Sequence, residues 1–438
     1  MKIKTLHLVN FRNAKDLRMD FDPNLNLFVG INGAGKTTVL SGIAILLSQV
    51  VARLRSPKGF GRKILNSDIH NLESHSILEI TCQSSTEDDE CTWHMTQTRK
   101  GRNPVVKADS NFVKSNFEAL NAWAYSTRQL ISDSNEKINI PLFVYYPVNR
   151  SVLDIPLRIR NTHNFELLEA YDSAFTVGAN FRDFFEWFRN REDYENERFR
   201  DATQTDTRSA GSGKFIEDMQ LTSVRVAINN FLPEFSSISV KRNPLRMEVE
   251  KLGRKYNIKQ MSDGEKCLMA LVGDLARRLA IANPNRENAL EGDGVVLIDE
   301  IDLHLHPAWQ RSVVPRLIKT FPNCQFVITT HSPQVLGEVH ATCVKQLYED
   351  QSLGLISTTP AQSYGLDTSS VLEELMETKS RNTVIEKKLD EIFHRIDSDD
   401  FAKAKEIIEE VRQMVNGDIP DLVRANSIIS MLQSVDGE

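Results

Sequence analysis

Phe28 to Thr38 reads Phe-Val-Gly-Ile-Asn-Gly-Ala-Gly-Lys-Thr-Thr, an apolar strand that breaks into G-x-x-x-x-G-K-T and continues as an apolar helix. This is the strongest constraint on the fold, because such a loop works only between a buried strand and the N-terminus of a helix. Successive backbone N–H groups of Asn32, Gly33, Ala34 and Gly35 turn inward around an anion, and Lys36 adds a point charge for the outer phosphates of a nucleotide. Thr37 offers its hydroxyl to Mg²⁺, with Thr38 beside it. Glycine-rich strand-to-helix turns also arise for packing alone, but the full eight-position match in this context favours nucleotide binding, with ATP and Mg²⁺ as the expected ligands.

The segments around the loop point to an α/β chain. Ile3 to Val9 and Leu17 to Phe21 alternate as short strands, and Leu25 to Val29 is the buried strand that feeds the loop. Residues 76–83 and 91–98 read as a further strand pair about the polar turn Ser84 to Glu90, an antiparallel subsheet beside the main one. Pro141 to Tyr146 is another apolar strand. Phe181, Phe184, Phe185 and Phe188 then recur at helical spacing, and Thr203 to Gly213 reads as a polar loop. From 264 the strand and helix alternation resumes, with Gly294 to Ile298 and Gln325 to Thr329 as strands of a mostly parallel sheet. Three helices are expected at Thr383–Arg395, Asp400–Val415 and Pro420–Leu432. These segments divide the chain into 1–150, a helical insertion 151–258, a second head segment 259–360, and a helical C-terminal region 361–438.

The net charge of −7 argues against a uniformly basic nucleic-acid binder. Two basic clusters keep DNA among the candidate partners: Arg53, Arg55, Lys58, Arg62 and Lys63, then Lys241, Arg242, Arg246, Lys251, Arg254 and Lys255. Five cysteines show no C-x-x-C spacing and read as reduced thiols. With no signal-peptide core and no segment read as a membrane span, the expected compartment is the cytoplasm.

Val295-Val-Leu-Ile-Asp299-Glu300 carries the second half of a hydrolytic site. An apolar strand delivers Asp299 to the Mg²⁺ shell and Glu300 to the attacking water as general base. Met261-Ser262-Asp263-Gly264-Glu265 opens a helix ahead of that strand. Ser262, the Gly264 amide and the helix N-terminus make a second anion site, although the chain has one phosphate loop. Thr329-Thr-His331-Ser-Pro333 follows the next strand; a lone histidine is usually a satisfied structural residue, but the end of the strand after Asp-Glu favours His331 as a sensor of a terminal phosphate. His304 and His306 invite a metal reading, which the motif context does not support.

As a set, these motifs resemble the stand-alone ABC-type ATPases of the group that includes the Septu antiphage ATPase PtuA and relatives of the RecF and overcoming-lysogenization ATPases. Leu8-Val-Asn-Phe-Arg12, Tyr145-Tyr-Pro-Val-Asn-Arg150 and Leu297 to Pro307 belong to the same match. The resemblance implies an ABC-type head with an antiparallel subsheet, a helical insertion and a small helical C-terminal region. It implies that Ser262 to Glu265 are a signature segment and His331 a switch histidine, that Asp302 lies in a loop through which subunits communicate, and that Arg12 lies near the base or ribose. It further implies a homodimer of heads, open to higher oligomers, in which each ATP is sandwiched between one subunit's phosphate loop and the other's signature.

No glutamine stands in the lid-loop position; Asn149 and Arg150 are the polar residues there. A nuclease site is not expected in this chain, and the resemblance makes the nuclease a separate HNH-type subunit. Two alternatives stand beside a regulator of that nuclease: an ATP-gated DNA clamp of the RecF kind, and a scaffold that holds and releases a toxic effector.

Overall fold

The computed structural model describes residues 1–71, 73–84, 90–99, 113–134, 137–148, 166–176, 181–205 and 217–435, with the side chains of 202–205 and 434–435 excepted. The chain divides into two units, Met1–Leu366 and Asp367–Glu438.

In the first unit the strands are β1 (Lys2–Phe11), β2 (Ala14–Asp20), β3 (Leu25–Val29), β4 (His75–Gln83), β5 (Glu90–Thr98), β6 (Leu142–Tyr146), β7 (Phe235–Arg242), β8 (Leu245–Lys251), β9 (Arg254–Asn257), β10 (Gly294–Ile298), β11 (Cys324–Thr329), β12 (Val344–Asp350) and β13 (Gly354–Thr358). Its helices are α1 (Lys36–Arg55), α2 (Glu118–Asp133), α3 (Phe181–Thr205), α4 (Met219–Phe231), α5 (Asp263–Ala282), α6 (Pro307–Thr320) and the single turn α7 (Pro333–Leu336). Ten strands form one sheet in the order β5-β4-β1-β2-β13-β12-β3-β11-β10-β6. The pairs from β12 to β6 are parallel. Those from β5 to β12 are antiparallel. The antiparallel strands therefore continue the main sheet instead of forming a second layer beside it, and β12 and β13, absent from the sequence reading, make the join.

Burial follows this division. Every residue of β3, β6, β10 and β11 is buried, as expected where helices cover both faces of parallel strands. β4 alternates strictly between buried and half-buried positions, the mark of one core face. α1 is long and apolar enough to cross a membrane, but 89% of its apolar window is buried inside this fold, where it serves as the central core helix.

The segment read as a helical insertion holds α3 and α4, and then a separate three-stranded antiparallel sheet, β7-β8-β9, that the helical expectation did not include. Charged strand residues explain the difference. Arg242 pairs with Glu192 at 2.6 Å and with Asp193 on α3, and Arg246 pairs with Glu248 at 2.7 Å, so side chains that resemble a solvated helix surface are neutralised within the fold. Phe181, Phe184, Phe185 and Phe188 are all buried, and the Phe184 ring lies against Gly273 of α5, so the aromatic run is a packing face. Residues 206–213 of the expected polar loop lie outside the described residues, as do Asn149 and Arg150 and most of the Ser84–Glu90 turn.

A buried ionic cluster anchors α5. Asp274 accepts from Arg277 at 2.7 Å, from Arg278 at 2.7 Å and from the Tyr146 hydroxyl of β6 at 3.0 Å, while Arg278 also donates to the carbonyls of Ala170 and Asp172. Burial opposes the charge on Asp274, yet the two guanidiniums hold its carboxyl below the ordinary range. Asp274→Ala strands both guanidiniums and is expected to destabilise the protein by about 3 kcal/mol or more. Urea unfolding checks this; a midpoint matching the parent's would contradict it.

The second unit contains the short turn α8 (Thr368–Ser370) and three helices, α9 (Thr383–Asp397), α10 (Phe401–Val415) and α11 (Pro420–Val435). Leu389, Ile392, Ile408, Val411, Leu422 and Ile429 are among the residues of its own core. Asp400 caps α10 by accepting from the Lys403 N–H, and Asn416 ends it in the left-handed region at φ 54°.

Candidate nucleotide site

β3 ends in the middle of the sheet, between β11 and β12, and its carboxyl end opens into the glycine-rich loop. Gly30, Gly33 and Gly35 have φ of 155°, 85° and 92°, backbone geometry that side chains resist, and a Cβ on Gly30 would lie 2.3 Å from the Leu347 carbonyl of β12. Within this loop the Lys36 ammonium donates to the carbonyls of Gly30 at 2.7 Å and Ile31 at 3.0 Å. Burial lowers its pKa, against the pull of Glu300, Asp299 and Asp302. Thr38 donates to Asn13 at 2.9 Å, which ties the loop to the β1–β2 turn, whereas Asn32 is exposed and Ala34 is buried.

β10, two strands away, brings up the acids. Thr37 Oγ1 lies 3.3 Å from Asp299 Oδ2, and Asp299 Oδ1 accepts from the Thr329 hydroxyl at 2.6 Å. Thr329 also accepts the Glu300 N–H at 2.8 Å, so one hydroxyl from β11 fixes both acidic residues. Tyr145 completes the wall. Its phenol, pushed up to about 12 by burial and the neighbouring Asp299, carries its proton at neutral pH.

Asp302 accepts from the Thr330 hydroxyl at 2.6 Å and from the His331 N–H at 3.2 Å. Burial and then the Lys36 ammonium lower the His331 pKa, despite the opposing pull of Asp302, Glu300 and Asp299. Lys36, Thr37, Asp299, Glu300, Asp302 and His331 thus share one electrostatic neighbourhood. Arg12 lies at the edge of this region. Its guanidinium donates to Asp68 at 3.0 Å and to Ser41 of α1 at 3.1 Å.

The Ser262 segment lies elsewhere. Ser262 to Glu265 line a separate hollow of about 650 Å³ with His304, Leu305, His306 and Trp309, and no phosphate-loop residue is among the residues lining it. A Cβ on Gly264 would lie 2.6 Å from the His304 carbonyl, so only glycine lets the loop after the acids close on the start of α5. Ser262 caps the helix, accepting from the Glu265 N–H at 3.4 Å, while Glu265 Oε2 accepts from the Ser262 N–H at 2.8 Å and hydroxyl at 2.9 Å. The Glu265 side chain therefore braces the helix start, with one carboxylate oxygen taken up by Ser262. The spacing Ser-x-x-Glu is the sequence signal for such a capping box.

A family model described as "AAA domain, putative AbiEii toxin, Type IV TA system" matches residues 25–337. The chain belongs to this family. It is an ABC-type ATPase, a nucleotide-binding enzyme with relatives among the retron and Septu ATPases. The "Retron Ec83 probable ATPase" of Escherichia coli is 30% identical over 437 residues, covering 87% of this chain and 77% of the relative. The "Retron Vc95 probable ATPase" of Vibrio cholerae is 30% identical over 453 residues, covering 93% and 86%. "Septu protein PtuA" of Bacillus thuringiensis is 24% identical over 413 residues, covering 89% of each. Among solved structures, an SMC head bound to the C-winged helix domain of ScpA aligns with 82% of this chain and 98% of its own at 17% identity and a TM-score of 0.45.

Four residues of this ATPase's site escaped the sequence reading. Thr329 and Tyr145 lay inside quoted motifs, and their polar groups at the ends of apolar strands were the available signal. Asn13 and Trp309 gave none, since their partners are distant in sequence.

The basic clusters also look different in three dimensions. Arg53 is buried, donates to Asn121 at 2.8 Å and stacks 4.1 Å from the Phe117 ring, while Arg55 pairs with Asp172. In the second cluster Arg242, Arg246 and Lys251 all form ion pairs.

Proposed function

We propose that this ATPase works as a homodimer of heads that closes on two ATP molecules, and that closure and hydrolysis control a separate HNH-type nuclease subunit in an antiphage complex. The observation that carries the reading is the separation just described. The phosphate loop faces Asp299 and Glu300, while the helix start at Ser262, a natural anion site, opens into a different hollow. A head-to-tail pair would let each signature complete the other subunit's site. The retron and Septu relatives, together with the motif set shared with the Septu group, support the defence role.

In this reading Lys36 and the loop amides bind the β- and γ-phosphates. Thr37 Oγ1 and Asp299 Oδ2 are hard oxygen donors facing one another, and Thr329 occupies the other carboxylate oxygen, an arrangement that suits Mg²⁺. Bound there, the ion would neutralise charge on the β- and γ-phosphate oxygens. Glu300 orients a water and accepts its proton, and His331 hydrogen-bonds the terminal phosphate. Asp302 holds the His331 backbone through its N–H. The DNA-clamp alternative drew its support from the two basic clusters, and the internal pairing of Arg55, Arg242, Arg246 and Lys251 weakens it.

Mixing two inactive chains tests the composite site. Lys36→Ala removes the phosphate loop's charge and Ser262→Arg blocks the signature, so each alone should be inactive. A mixed dimer has one intact site, and hydrolysis should return to about a quarter of the parent rate at equal total protein. No recovery on mixing, with both variants folded, would contradict the proposal.

A further inference from the structure

The signature helix is braced from outside itself. Glu265 gives one carboxylate oxygen to Ser262, which donates both its N–H at 2.8 Å and its hydroxyl at 2.9 Å, and gives the other to the ammonium of Lys251, the last residue of β8. Lys251 is itself tightly placed: its Nζ lies 3.3 Å from Glu234 and 5.4 Å from the centre of the Phe235 ring. The turn that follows it, Leu252-Gly253, has φ of 51° and 74° at successive residues, which closes the β8–β9 hairpin sharply next to Lys251. β8 pairs with β7, whose last residue Arg242 is bound to Glu192 and Asp193 of α3. One ammonium therefore joins the small sheet, and through it the α3 surface, to the first turn of α5.

We propose that Lys251 is a positioning residue for the ATPase reaction: by gripping Glu265 it fixes Ser262 and the first amides of α5 in the arrangement that receives the partner subunit's ATP. The Glu265 side chain is only 9% exposed, so little water is available to replace the countercharge if Lys251 is lost. The carboxylate would then turn outward or take up a proton, and in either case the Ser262 hydroxyl and N–H lose their fixed acceptor. The inference rests on the composite-site reading, and it adds that the β7–β9 sheet sets the quality of the signature. A displacement of that sheet by a bound partner would act on ATP closure without touching the phosphate loop.

The test compares Lys251→Met, Lys251→Arg and Ser262→Ala, each measured for fluorescent ATP binding to the separate head, ATP-dependent dimerisation in a Glu300→Gln background, kcat, KM and thermal midpoint. Lys251→Met should keep nucleotide binding by the separate head and a midpoint within about 3 °C of the parent. Its dimerisation should need roughly tenfold more protein and its kcat should fall about tenfold, the loss expected for one charge-assisted hydrogen bond. Lys251→Arg should restore both. Dimerisation and kcat unchanged in Lys251→Met, while Ser262→Ala abolishes dimerisation, would overturn the role of Lys251. Parent-like dimerisation of Ser262→Ala would instead overturn the composite site itself. Should Lys251→Met fail to fold, Glu265→Gln keeps an acceptor for Ser262 while removing the charge pair, and parent-like dimerisation and kcat in that variant would equally overturn the proposal.

Discussion

Glu300→Gln should lower ATP hydrolysis by about 10³-fold while leaving ATP binding intact. The substitution preserves size and hydrogen-bonding shape, and the backbone of residue 300 is secured independently by its N–H to the Thr329 hydroxyl at 2.8 Å. What disappears is the capacity to accept a proton from the attacking water. ATP should then accumulate unhydrolysed and hold two heads together, so size-exclusion chromatography with ATP should show a long-lived dimer. Hydrolysis at the parent rate would show that the proton goes elsewhere. The same variant addresses nuclease control: if the reconstituted complex cuts DNA identically with and without a functional Glu300, nucleotide state does not govern cutting.

Lys36→Ala should remove nucleotide binding below detection, a larger effect on affinity than any other single change proposed. The ammonium spans the loop carbonyls of Gly30 and Ile31, and it is the charge about which Glu300, Asp299 and Asp302 gather. Without it, triphosphate would enter a neighbourhood dominated by three carboxylates, and the loop amides alone do not offset that repulsion. Alanine suits the first turn of a helix, so α1 should survive and the circular dichroism spectrum should match the parent's. Titration with a fluorescent ATP analogue gives the readout; retained micromolar affinity would show that the amides suffice.

How far the sequence revealed these features depended on whether a residue's partners were local. β3, β10 and β11 were visible as apolar runs because parallel strands are buried on both faces. The tail helices were visible through their periodicity and caps, as at Asp400 and Asn416. β12 was not: Val344 to Asp350 is half charged or polar, and it is a strand because β3 and β13 flank it. β7 to β9 were hidden in the same way, since the partners of Arg242 lie on α3. In the site, Lys36, Thr37, Asp299 and Glu300 could be named from spacing, because the loop and the strand end dictate their positions. Arg12 and Glu265 show the limit. Arg12 was set near the base or ribose and Glu265 in the signature segment, but spacing gave no sign that Arg12 donates to Asp68 and Ser41 or that Glu265 accepts from Ser262 and Lys251.

The place of β3 in the sheet also bears on how the protein is made. Leu25 pairs with Phe326 and Leu27 with Val344, so both neighbours of the phosphate-loop strand come from the far part of the chain. On a ribosome adding about 5–20 residues per second, β3 would wait roughly 15–60 s for them. During that interval Leu25, Leu27, Phe28 and Val29 have neither flanking strand to pair with. Asp299 and Thr329 reach the phosphate loop only after β10 and β11 have been made, so ATP bound at the complete site would stabilise the assembled head and not its early intermediates.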